Sequence, residues 1–312
     1  MITGLLAGIT WAIATVILGI ALSASPFISS QQALVLAPFA GTFLHDACSA
    51  VIMLIYNLIK GNQKQFLQMI KSRDFKWLLL ASAVGGPVGM TGYVMTVNYM
   101  GASVGAVASA VYPAVGTALA YFFLKEKVRW YQWIFLILAL AGVYGLGYSP
   151  RLQVKNWGLG LAGALMCSFG WGIEAVVLAK CFKNTAFGQE QALFIRQTTS
   201  ALLYGTIIIP ALSGWQFTGE LLRVHAGELL PVICCAAFFA SLSYLLYYKA
   251  IAQVGAARAM ALNITYTAWA IVFSVVIFKD FMVLNPVTLI CSVLVVGGGI
   301  LAAADFKTIL CK

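Results

Sequence analysis

Ten apolar runs, each long enough to cross a bilayer, fill most of this chain. They fall near residues 2–22, 32–59, 77–98, 103–124, 130–148, 157–179, 188–209, 228–250, 257–278 and 285–304, separated by short polar or Gly/Pro-bearing connections. A spanning helix takes about 20 apolar residues. Lipid offers no water to a bare backbone, so such runs must fold as helices that satisfy their own polar groups. Charge agrees: 9% of the 312 residues are charged and 62% are hydrophobic, against about 25% charged in a soluble domain. A cytosolic enzyme, a secreted domain and a disordered tail are excluded, and the expected class is an all-α polytopic membrane protein. The least distinct boundary is at Tyr99 to Ala102, where Gly101 and Gly105 suit a tight helical hairpin.

The basic residues set the threading. With the N-terminus in the cytoplasm, 14 of the 19 Lys and Arg fall on inner connections, 4 on outer ones, and Arg196 lies inside a span. That asymmetry predicts a multi-pass protein of a bacterial inner membrane with both termini cytoplasmic. The net charge of +10 thus reads as topology and contact with lipid headgroups, and no nucleic-acid partner is expected. Seven scattered cysteines lack metal-ligand spacing and read as small packing residues. Residues 2–22 exceed a signal-peptide core and lack its charged start, so they are expected to remain as the first span.

The chain matches itself at an offset of 154 residues, pairing Tyr93 with Tyr247, Gly101 with Gly255, Tyr112 with Tyr266, Lys125 with Lys279 and Glu126 with Asp280. Upstream the offset becomes 160 and pairs Trp11 with Trp171. Each copy holds five spans, residues 1–150 and 151–312, and an odd number obliges the second copy to enter the membrane from the opposite side. Inverted repeats of this kind recur in secondary transporters, with the cargo site near the midplane between them. The expected fold is ten transmembrane helices as two inverted five-helix repeats around a central cavity.

The stretch from Asn98 to Gly145, containing YMGASVGAVASAVYPAVGTALAYFFLKEKVRWYQW, with Gly101 opening the fourth span, Pro113 within it, Glu126 closing it and Gly142 and Gly145 ending the fifth, resembles the EamA-type drug/metabolite transporter superfamily. Gly8 and Trp11 in the first span and Trp171 and Gly172 in the sixth extend the likeness. The second copy departs from it, with Thr267 in place of Pro113 and Asp280 in place of Glu126. Within the superfamily the chain is similar to YddG-like exporters of aromatic amino acids. The resemblance implies a central cavity, no nucleotide-binding domain and export of small metabolites.

Ionisable residues at membrane depth cost about 2.5 to 3.5 kcal/mol each and normally face a cavity or a partner. His45, Asp46, Glu174 and Arg196 are of this kind. Glu174 and Arg196 lie eleven residues either side of Thr185, which predicts similar depth on adjacent helices and an ion pair, a cargo contact, or both in different states. His45 and Asp46 sit 100° apart around their helix, so they are expected to face different partners, and together they suit a proton relay. Cavity-lining aromatics are expected at Trp11, Trp171, Tyr93, Tyr99, Tyr244, Tyr247 and Tyr248. Gly85, Gly86, Gly89 and Gly92 around Pro87 suit close packing or a bend, so Gly85, Pro87, Gly101 and Pro113 are the expected gating positions. No phosphate-cradling loop, metal motif or nucleophile elbow is present, so neither a cofactor nor enzymatic chemistry is expected. The function read from the chain is export of small amphipathic metabolites, foremost aromatic or hydrophobic amino acids. The alternatives are a multidrug or quaternary-ammonium exporter using the aromatics as a cation cage and, remotely, an intramembrane enzyme. Beyond a small-molecule cargo and membrane lipid, no partner or oligomeric state is specified.

Overall fold

The computed structural model describes residues 1–100, 110–147, 156–184, 187–279, 281 and 284–305. It is built of helices, with no strand among the described residues. Nine helices there are long and apolar enough to span a membrane: α1 Ile2–Leu22, α2 Gln31–Ile59, α3 Phe75–Thr96, α5 Trp130–Gly147, α6 Trp157–Cys181, α7 Gln189–Ala211, α8 Ala226–Val254, α9 Ala256–Ile277 and α10 Pro286–Ala303. The tenth expected position is held by the shorter apolar helix α4, Tyr112–Leu124. Pro113 sits in the first turn of α4, where its missing N–H is harmless, and not inside a continuous span. The predicted hairpin at Gly101 and Gly105 lies outside the described residues.

Two predicted loops are helical instead. Gln63–Lys71 and Trp215–Val224 form short amphipathic helices, the first within the basic run that had read only as topology. Its apolar side, through Phe66, packs on Phe194 of α7, while Lys64 and Lys71 stay exposed.

Packing follows the repeat. Helix α1 lies against α8 and α9, just as α6 lies against α3 and α4. The pair α2 and α8 corresponds in the same way to α7 and α3, while α5 with α10 and α2 with α7 are each their own counterpart. Exchanging the two halves therefore maps this contact pattern onto itself. Backbone detail agrees: Lys125 and Lys279, which the 154-residue offset pairs, both end their helices in the left-handed conformation, at φ 53° and 55°.

Close approach depends on small residues, as expected where lipid supplies no hydrophobic drive between helices. Helix α3 presents Gly85, Gly86, Gly89 and Gly92 to its neighbours, and a Cβ on Gly85 would overlap the Glu174 side chain. Pro87 lacks a donor and the helix widens into a π-turn at Val84–Val88. The Gly89 N–H reaches back to Val84 O. This frees Gly85 O to accept from Trp171 Nε1 at 2.9 Å.

Candidate functional site

A cavity of about 50 Å³ lies where α1, α4, α6, α8 and α9 converge. Its wall is aromatic: Trp11, Tyr112, Trp171, Tyr244, Tyr247 and Tyr266, joined by Glu174, Ala175, Ser243 and Asn263. Trp11 meets Tyr244 edge-on at 5.1 Å, and Tyr112 meets Trp171 at 5.7 Å. Each such pair contributes about 0.5 to 1.5 kcal/mol beyond burial, which stiffens the wall. The hydroxyl of Tyr112 accepts from Asn263 Nδ2 at 2.9 Å, whereas the buried Asn263 Oδ1 has no hydrogen-bond partner among the described residues.

Beside it, across Trp11 and Tyr244, a second cavity is lined by Thr42, His45, Asp46, Met90, Arg196 and Ala240 among others. One buried network joins the two. Arg196, 2% exposed, donates from Nε to Glu174 Oε1 at 3.2 Å, from Nη1 to Gln197 Oε1 at 2.9 Å and from Nη2 to the Tyr244 hydroxyl at 3.1 Å. Its Nη1 is also 3.5 Å from Asp46 Oδ2. Asp46 accepts from Ser200 Oγ at 2.6 Å and lies 2.9 Å from His45 Nδ1. Glu174 Oε1 accepts a further bond, from the Tyr248 hydroxyl at 3.2 Å. Two carboxylates thus share one guanidinium, with the His45 imidazole against one of them.

Charges this deep persist only when paired and hydrogen-bonded. The helices arrange that through the repeat's topology: α6 and α7 are consecutive and bring Glu174 to Arg196, and α2 packs on α7 and brings Asp46 to its other side.

The structure groups the predicted residues unevenly. Trp11, Trp171, Tyr244, Tyr247 and Glu174 share the first cavity, and His45, Asp46 and Arg196 share the second. His45 and Asp46 do not face different partners: their side chains bend toward each other and bond. Tyr248 is fully buried behind the wall, held by Glu174 and packed on Phe182 at 5.5 Å. Tyr93 packs on Trp171 at 6.1 Å but is not in the lining. Tyr99 lies in the last turn of the helix Gly89–Met100, where its carbonyl accepts from Asn156 N, away from either cavity. Gly85 and Pro87 form the widened turn beneath Trp171, Pro113 follows Tyr112 at the cavity edge, and Gly101 lies outside the described residues. Tyr112, Tyr266, Asn263 and Ser243 were not anticipated. The offset that pairs Tyr112 with Tyr266 was the available signal.

The model of the EamA-like transporter family matches residues 1–148. That match covers just under half of the chain. Three curated proteins are similar over most of their length and of this one. Protein LicB of Haemophilus influenzae is 28% identical over 82% of each chain. The riboflavin transporter ImpX of Fusobacterium nucleatum is 24% identical over 83% of this chain and 85% of its own. An uncharacterized transporter of Clostridium kluyveri is 22% identical over 76% and 75%. A solved crystal structure shares the fold, with a TM-score of 0.68 over 96% of this chain and 95% of the other at 16% identity. With nine helices among the described residues long and apolar enough to cross a membrane, the chain is a multi-pass membrane protein similar to transporters of this family.

Proposed function

We propose that this EamA-like transporter carries a compact organic cation, a substituted or quaternary ammonium ion, by alternating access between its two five-helix halves, residues 1–150 and 151–312. The supporting observation is the cavity with six aromatic side chains around Glu174, next to a buried network in which two carboxylates share one guanidinium. Aromatic faces attract ammonium ions by about 2 kcal/mol or more when desolvated, and Glu174 supplies the counter-charge. The unpartnered Asn263 Oδ1 would accept a hydrogen bond from an N–H or hydroxyl on the same cargo.

An aromatic amino acid fits this arrangement less well. Its carboxylate needs a free cation, and Arg196 is already engaged by Glu174, Asp46 and Gln197.

The threading assigned to the chain puts Lys60, Lys125 and Lys249 at the cytoplasmic face of a bacterial inner membrane. An inside-negative potential draws a cation inward by about 2.3 kcal/mol per 100 mV. Uncoupled cargo therefore enters, and export requires a counter-ion. His45 and Asp46, bonded to each other in the second cavity, are the groups suited to exchange a proton for it. Proteoliposomes given labelled tetramethylammonium, phenylalanine, tryptophan or riboflavin, with and without imposed potential and pH gradients, test the reading. Flux of the ammonium ion alone supports it; flux of phenylalanine or tryptophan without the ammonium ion returns the cargo to amino acids.

A further inference from the structure

The guanidinium of Arg196 occupies a position that an organic cation would take. It lies 4.7 Å from the centre of the Tyr244 ring, within the roughly 6 Å over which an aromatic face attracts a cation. Tyr244 lines both cavities. The same guanidinium holds Glu174, the acid of the first cavity, and touches Asp46, the acid of the second. We infer that Arg196 is a tethered occupant of the cargo site, holding Glu174 in the empty transporter and shifting to Asp46 when an organic cation binds.

The inference rests on the cargo class proposed above, and three features carry it further. First, two carboxylates flank the one guanidinium, so Glu174, once Arg196 leaves it, is open to another cation. An entering ammonium ion takes that place without leaving Arg196 unpaired, because Asp46 is already within 3.5 Å. Second, the contact to Glu174 is single-pronged, through Nε, and not the bidentate fork that makes such pairs hard to separate. Third, the partners that stay behind remain satisfied: Tyr248 continues to donate to Glu174, and His45 and Ser200 already serve Asp46. Exchange of one cation for another thus avoids stranding a buried charge at any stage.

This arrangement also makes cargo affinity weak by design. Each binding event must displace a competitor of effectively fixed local concentration, which favours release after the site reorients. Removing the competitor should tighten binding and slow turnover together.

The charge-balanced variant D46N/R196Q removes one charge of each sign and leaves Glu174 for the ligand. In the purified full chain, tetramethylammonium binding followed by tryptophan fluorescence should tighten about tenfold relative to wild type, the value of one hydrogen bond to a charged group. Millimolar guanidinium ion should compete with the ligand in the variant. Unchanged or weaker binding in a folded variant, while wild type binds, overturns the tethered-occupant role and leaves the cargo class standing. If the wild-type chain binds no ammonium ion and E174Q behaves identically, the cargo reading itself fails and takes this one with it. Should the variant not fold, the wild-type chain labelled with nitrogen-15 arginine gives the answer. The buried Arg196 Nε resonance, assigned with R196K, should move on adding tetramethylammonium, and a resonance that stays put overturns the inference.

Discussion

Arg196 presents five donors in a rigid fork, and what surrounds it decides how each neighbour behaves when removed. Losing Glu174 leaves Arg196 with Asp46, whereas losing Arg196 takes the shared guanidinium from both carboxylates. Breaking a buried pair costs about 3 to 5 kcal/mol, so Arg196→Gln should lower the thermal midpoint in detergent more than Glu174→Gln does. The triple substitution with Asp46→Asn should recover part of that loss. Equal, additive losses would show that the three side chains act separately. The pairing of Glu174 with Arg196 was legible because a short connection fixes the relative depth of two adjacent helices. The bond between His45 and Asp46 was not, since a 100° separation of Cβ atoms says nothing of side-chain torsions that turn both toward one spot. Tyr248 read as lining because it lies one turn from Tyr244, yet its hydroxyl turns to Glu174 and the ring is sealed behind the wall. Which face of an aromatic stripe meets a cavity depends on how α8 is rotated against α1 and α6, and no local pattern encodes that rotation.

At the scale of elements, two devices fix the ends and bends of helices in the bundle. The π-turn of α3 frees Gly85 O for Trp171 and leaves no space for a Cβ beside Glu174. Gly85→Val should therefore lower the thermal midpoint and abolish cation binding, while Gly19→Val, at a site with nothing within 4 Å, should change neither. A tolerated valine at residue 85 would mean that α3 and α6 are not in contact there. The second device is Glu126, whose two oxygens accept from Ala256 N at 2.9 Å and Ala257 N at 3.1 Å at the start of α9. Gly255 makes the approach possible at φ 87°, where any other residue would be strained. Glu126→Ala should cost about 1 kcal/mol, the usual value of a lost helix cap, read as a lower thermal midpoint; no change would show the contact is not maintained. The glycine row and Pro87 were visible in the sequence as a bend, but the carbonyl they release was not, because its partner lies 86 positions along the chain. The amphipathic helix Gln63–Lys71 was missed because its basic residues read first as a topology signal and its apolar face is only three or four residues wide.

For the whole molecule, the ten apolar runs and the self-match carried the architecture, since hydrophobic length and repeat offset are properties of the chain itself. Fold symmetry reaches the cavity: Trp11 with Trp171 and Tyr112 with Tyr266 each place both members in one lining. Tyr93 with Tyr247 does not, an asymmetry expected of a structure in one conformation of a two-state cycle. The basic residues predict the orientation, on which a cysteine placed at residue 66 in a background without native cysteines should be labelled only from the cytoplasmic side. Labelling from outside would reverse the threading. Alternating access of a cation through the Glu174 cavity is most directly tested by counterflow. Proteoliposomes preloaded with unlabelled tetramethylammonium should take up external labelled ion faster than empty ones, because the loaded site reorients with cargo in both directions. Uptake that ignores the preload, or that persists unchanged in a folded Glu174→Gln variant, would contradict the account.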